Sequence, residues 1–264
     1  MKTLQRILKF TLITSIFSIQ AFAQKTDEKS AALLKAMTEV NGGYEKLAAQ
    51  NDVQYTYVYD NFDKGKDVSV EKYIFNGEHS WGAYETHQIH VLPKQEGKVV
   101  QSLVNNKVAV TLNGEAVTDP KAVGTADFLR KVNIFWFAMM YKLNDPGTVY
   151  EYQGNEEVDG VTYDKVRLTY KSAVTKKEKN DEYILYFNPS THLVDFFYFN
   201  IVGMGITKPV IKMSLEYEQI NGVYVATTRK SFAPNEKGEY TLNGEYTSSD
   251  VKFNNGFKPE DFKL

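Results

Sequence analysis

The segment Gly124 to Gly147, GTADFLRKVNIFWFAMMYKLNDPG, decides how the rest of the chain is read, because it is one strongly apolar helical stretch set among strand-like sequence. Phe128, Val132, Phe135, Met139 and Leu143 recur at three- and four-residue steps, and Leu129, Trp136 and Met140 thicken the stripe, as a helix with a buried face requires. Ile134, Phe137 and Tyr141 fall largely on the other side. Such a helix is apolar nearly all round and needs cover on both sides. Thr125 is expected to cap it, with Asp127 in the first turn, and Asn144-Asp145-Pro146-Gly147 to end it, since the residue before a proline leaves helical geometry. Two readings fit: a core helix, or a plug over a hydrophobic cavity whose methionines and aromatics give adaptable apolar contacts.

Outward from this segment the period changes to two. Before it, Val53, Tyr55, Tyr57 and Tyr59 alternate with Gln54, Thr56 and Val58, as in a strand with two distinct faces. Val68 to Phe75 ends at Asn76-Gly77, Val99 to Val104 at Asn105-Asn106, and Val108 to Leu112 at Asn113-Gly114; each pair supplies the positive φ angles of a tight hairpin. After it the pattern resumes from Val149 through Asp159-Gly160, Tyr163 to Tyr170, Tyr183 to Phe187, His192 to Asn200, Val210 to Glu218, Asn221-Gly222, Tyr224 to Phe232 and Tyr240 to Phe253. Consecutive hairpins make the sheet antiparallel, and a sheet this wide must curl. Two short helices, over Ser30 to Val40 and from Tyr44 to Ala48 with Asn41-Gly42-Gly43 between them, precede the strands. The expected fold is therefore α+β: a curled antiparallel sheet forming an incomplete β-barrel, with helices packed on or plugging its concave face.

The N-terminus carries Lys2, Arg6 and Lys9, an apolar run from Phe10 to Ile19, and Ala21-Phe22-Ala23, the pattern of a signal peptide over residues 1–23 cleaved before Gln24. The expected mature chain, residues 24–264, reads as a single domain placed in the periplasm or secreted, and no later stretch has the length of a transmembrane segment. The 264 residues contain no cysteine, which excludes disulfides, an acylated cysteine anchor and thiol chemistry. A net charge of −2, from 31 basic and 33 acidic residues, offers no field to attract nucleic acid.

Four segments, Asn41-Gly42-Gly43, Trp136 to Gly147, Tyr163-Asp164-Lys165-Val166 and Tyr186-Phe187-Asn188-Pro189, give the chain a resemblance to the LolA/LolB-type periplasmic lipoprotein-carrier superfamily, and within it to a secreted branch of uncharacterised proteins. In that superfamily a half-open barrel with a helical lid holds acyl chains. The resemblance implies a binder of lipid or another apolar ligand, with an envelope protein as a possible partner. Candidate lining residues are Tyr55, Tyr57, Phe128, Val132, Trp136, Met139 and Met140. No arginine stands where the carriers' lid-locking residue is expected, Arg130 near the start of the helix being only a stand-in. Acyl chains gain about 0.8 kcal/mol per buried methylene, so such a site needs apolar walls and neither catalytic groups nor a cofactor. Ile201-Val202-Gly203-Met204-Gly205-Ile206 reads as a packed strand connection or as a cavity mouth.

Two competing sites come from the same reading. If His79 to His90 is one extended strand, His79, Glu85 and His87 share a face and His90 takes the other; two imidazoles and a carboxylate form a zinc ligand set with an open position, as in a metal-dependent hydrolase. The plainer reading is histidines hydrogen-bonded on a tyrosine-rich sheet. Exposed tyrosines would alternatively suit a module that recognises a protein or glycan. No Gly-x-Ser-x-Gly elbow, phosphate-cradling loop or cysteine nucleophile is present.

Overall fold

In a computed structural model, residues 27–264 are described; the leader expected over residues 1–23 and its cleavage point before Gln24 lie outside the described residues. Helices α1 (Glu28–Asn41) and α2 (Gly43–Ala48) come first. Asp27 caps α1, accepting from the Ser30 amide, and Gly42 links the two helices in the left-handed region at φ 82°. The strands that follow are β1 (Asp52–Asn61), β2 (Gly65–Ile74), β3 (His79–His87), β4 (Val99–Val104), β5 (Lys107–Leu112) and β6 (Glu115–Ala116). Helix α3 (Pro120–Ala138) and a 3-10 segment (Met139–Asn144) lead to β7 (Thr148–Val158), β8 (Val161–Tyr170) and β9 (Tyr183–Phe187). β10 (Val194–Ile201), β11 (Ile206–Ile220), β12 (Val223–Pro234) and β13 (Tyr240–Phe253) complete the order.

The thirteen strands of the described residues form one antiparallel sheet in the order β6-β5-β4-β3-β2-β1-β13-β12-β11-β10-β9-β8-β7. Asn105 and Asn106, Asn113 and Gly114, Asp159 and Gly160, and Asn221 and Gly222 take φ between 50° and 86°, so the hairpin turns lie where the sequence places them. At the turn after β2 the positive φ values shift one residue on, to Gly77 and Glu78. The pairing of β1 with β13 brings the two halves of the meander together, with Tyr59 opposite Tyr246 and their rings stacked at 4.3 Å. β6 and β7 are left as the two free edges, so the sheet curls without closing. The chain passes from one edge to the other through α3, which is thereby held inside the curl.

Helix α3 begins five residues before Thr125. Asp119 accepts from the Ala122 amide at 2.9 Å and Pro120 opens the helix, where its missing N–H costs nothing. The stripe from Phe128 to Leu143 divides: Met139 and Leu143 are buried, but within α3 Phe128 is 48% exposed, Val132 and Phe135 are half-buried, and the buried row is Ala126, Arg130, Ile134 and Ala138. Ala126 packs toward β3, β4 and β5, and Ala138 toward β1 and β2. Leu129 packs with Ala126, Tyr84, Val99 and Val110; Phe137 packs among Tyr55, Tyr73 and Phe253; Phe135 and Trp136 pack toward Phe197 and Phe199. Cover on both sides is thus supplied by different parts of one curled sheet.

Candidate ligand-binding cavity

Between α3 and strands β1 and β10 to β13 lies a cavity of about 510 Å³. Phe128, Leu129, Val132 and Trp136 form its helical wall, and Phe199, Ile211, Met213, Tyr57 and Tyr246 its sheet wall. Ile201, Met204 and Ile206 also line it, so the glycine-containing connection between β10 and β11 sits at the cavity rather than merely joining strands. Phe128 and Met204, 48% and 60% exposed, mark where the cavity opens. Of the residues expected to line a pocket, Tyr57, Phe128, Val132 and Trp136 meet here. Tyr55, Met139 and Met140 do not: Tyr55 is sealed in the core against Phe137 and hydrogen-bonded to Tyr73, and the two methionines pack into the cluster beneath α1. They lie beyond the part of the helix that walls the cavity, where with Trp136 and Arg229 they border only a gap of about 10 Å³.

A buried polar network fixes the helix against β2 and β3. Arg130 donates from Nη1 to Glu71 Oε2 at 2.6 Å and from Nη2 to Glu71 Oε1 at 3.0 Å and to Tyr84 Oη at 2.5 Å. Ser69 and Tyr73 hydroxyls donate to the same carboxylate, and Tyr73 meets Tyr55 Oη at 2.8 Å. Arg130 and Glu71 are both fully buried. Burial alone would lower the arginine pKa, but the attraction of Glu71, helped by Tyr84, outweighs it and holds the guanidinium charged. Gly82 makes the arrangement possible, because a methyl group there would lie 2.7 Å from Arg130 Cζ.

A second arginine is placed differently. Arg229, on the inward face of β12 and 6% exposed, lines the cavity with Tyr57, Trp136 and Tyr246 around its guanidinium at 5.7, 5.8 and 5.5 Å from the ring centres. The other polar lining residues include Lys64, Asp67 and His90. Asp67 accepts from the amides of Ile89 and His90 at 2.8 and 3.1 Å, and His90 Nδ1 lies 3.6 Å from it. Burial pushes the Tyr57 phenol up to about 12, with the charge of Arg229 pulling against it.

The histidine segment does not assemble into a ligand set. His87 Nε2 contacts Gly97 O at 2.7 Å, His79 Nδ1 accepts from the Asn105 amide at 3.4 Å, and Glu85 is exposed and paired with Lys98 at 3.0 Å. Strand alternation fails here because Tyr84 pairs with Ser69 and Thr86 with Val68, leaving Glu85 as a bulge residue that shifts the parity between His79 and His87. Among the described residues no group of three His, Asp or Glu side chains is arranged to hold a metal ion. None of their helices is long and apolar enough to cross a membrane.

Sequence reading missed Arg229 and Glu71 as interior residues. For Glu71 the signal was parity, since it is in phase with Tyr73 on β2; Arg229 gave none, because a bulge at Thr227 shifts the alternation of β12 and puts Arg229 on the same side as Tyr224 and Ala226.

An incomplete antiparallel barrel with a helix bridging its open edges and an apolar interior is the fold of LolA-superfamily structures. A LolA superfamily protein from Nitrosomonas europaea superposes with a TM-score of 0.50 at 13% identity, covering 89% of this chain and 97% of that one. A DUF1329 family protein from Desulfovibrio piger gives a TM-score of 0.52 at 14% identity, covering 88% and 96%. No curated protein matches the sequence. The chain belongs to the DUF6503 family, a family of unknown function, whose model matches residues 5–239.

Proposed function

We propose that this protein is an exported, non-covalent binder of a lipid or another apolar molecule, held in the cavity between α3 and the curled sheet. The observation that carries the reading is the cavity itself: about 510 Å³ within the range typical of ligand sites, walled mainly by aromatic and aliphatic side chains, and opening past Phe128 and Met204. Burial of acyl methylenes there supplies affinity without any catalytic group. The shared fold with LolA-superfamily structures supports the same reading by analogy. The leader pattern over residues 1–23 supports action in the periplasm, by residues 24–264 as one domain that receives its ligand from, or passes it to, an envelope protein.

Native mass spectrometry of the protein purified from periplasm without detergent, followed by organic extraction, tests this. The expected result is a non-covalent adduct of defined mass that extraction recovers as an apolar molecule. A protein that is empty, and that also fails to take up lipid from vesicles of phosphatidylethanolamine and phosphatidylglycerol, would overturn the reading.

A further inference from the structure

A wholly apolar ligand would leave one feature of this cavity unused. Arg229 is a buried cation with no carboxylate paired to it among the described residues, in contrast to Arg130, whose charge is matched by Glu71. Its one hydrogen bond is from Nη2 to Tyr57 Oη at 3.3 Å, and the three surrounding rings offer their π faces but no acceptor for the remaining N–H groups. A buried charge is costly unless it is paired and hydrogen-bonded. The chain spends that cost at the inner end of the cavity, where Arg229 and Trp136 also border a small gap of about 10 Å³ against Met140 and Tyr224. The other charged groups of the cavity do not satisfy it. Asp67 is held by two backbone amides and His90, and Lys64 adds a second positive charge.

Resting on the reading of the cavity as an apolar site, we propose that Arg229 is its headgroup site: the ligand is an amphiphile with an anionic oxygen headgroup, a carboxylate or a phosphate monoester, bound head inward. A guanidinium presents a fork of donors that matches either oxyanion in a bidentate manner. The tail then runs from Arg229 along Trp136, Met213, Phe199 and Val132 toward the opening at Phe128 and Met204.

Isothermal titration calorimetry on the full mature protein, with laurate, lauryl phosphate and lauryl alcohol below their aggregation concentrations, tests this. The three share one tail and differ only at the head. Laurate or lauryl phosphate is expected to bind about tenfold or more tightly than the alcohol, the order of a charge-assisted pair, and whichever anion binds better names the source. Arg229→Gln should remove that preference, so that within this variant neither anion binds more tightly than the alcohol; Arg229→Lys, which keeps the charge and loses the fork, should retain part of it and serves where the glutamine variant does not fold. An alcohol that binds as well as both anions to the unaltered protein overturns the headgroup assignment and leaves the apolar cavity standing. So does an anion preference that survives in a folded Arg229→Gln. No binding of any of the three overturns both.

Discussion

Arg130 of α3 and Glu71 of β2 form a fully buried, two-pronged ion pair, with N–O distances of 2.6 and 3.0 Å. It joins the helix that spans the open side of the barrel to the sheet that curls around it. Removal of one partner leaves an uncompensated charge in the core. Arg130→Met and Glu71→Leu should each destabilise the fold by about 3–5 kcal/mol, and the Arg130→Met, Glu71→Leu double variant by less than the sum of the singles. Urea unfolding of the four proteins measures the coupling. A single variant within experimental error of the parent would mean the pair does not hold the helix.

Gly82 faces that guanidinium, and the ion pair leaves Arg130 no freedom to move aside. Gly82→Ala places a methyl 2.7 Å from Cζ and should cost about 1–3 kcal/mol of overpacking. If the loss is one of space, Gly82→Ala in the Arg130→Met background should cost distinctly less. An equal cost in both backgrounds would point to backbone effects instead.

Tyr57 gives the pH prediction. Its folded pKa is raised from 10.0 to about 12, chiefly by burial, so the neutral phenol favours the folded state. The sign follows: this contribution is complete below pH 10 and is lost as pH rises toward about 12. Ultraviolet titration of tyrosinate, compared between the parent and Tyr57→Phe, should assign a late-titrating phenol to this position. Arg229→Gln should move it later still, because the opposing positive charge is gone. A Tyr57 phenol that ionises near pH 10 in the folded protein would contradict the burial seen here.

Trp136 stacks on Phe197 at 5.6 Å and edges against Phe199 at 5.4 Å, while its other surface faces the cavity. Trp136→Ala should lower stability by about 3 kcal/mol, the low end for a large aromatic because part of its environment is already open. Retention of a co-purified ligand should fall by more than that stability loss explains. Unchanged retention at reduced stability would make Trp136 a packing residue alone.

The local parts of this fold were legible because their chemistry is local. Asn113-Gly114, Asp159-Gly160 and Asn221-Gly222 dictate tight turns whatever surrounds them, and the alternation of β1 and β12 dictates strands. The Asp119-Pro120 start of α3 was equally local, yet the apolar residues that announce the helix begin only at Phe128, so the cap and proline before them read as loop. Pairing of β1 with β13 joins residues at opposite ends of the chain, and no local signal specifies it. The site was half legible for a similar reason. Val132 and Trp136 follow from helical period, but Glu71 lies on a strand where Val68 and Val70 argue for one face and Tyr73 for the other. Only the partner across the barrel, Arg130, shows why the charged face is the inner one. The metal reading of His79, Glu85 and His87 depended on unbroken alternation, which the bulge at Glu85 ends.

The most direct test of the central claim is titration of the neutral apolar fluorophore N-phenyl-1-naphthylamine into the parent and into Val132→Trp, a variant that fills the cavity from its helical wall. Saturable binding to the parent, displaced by lipid, is expected, and its loss in Val132→Trp with circular dichroism and unfolding midpoint little changed. Binding that is undiminished in the folded, blocked variant would show that the apolar site lies elsewhere and would contradict the account.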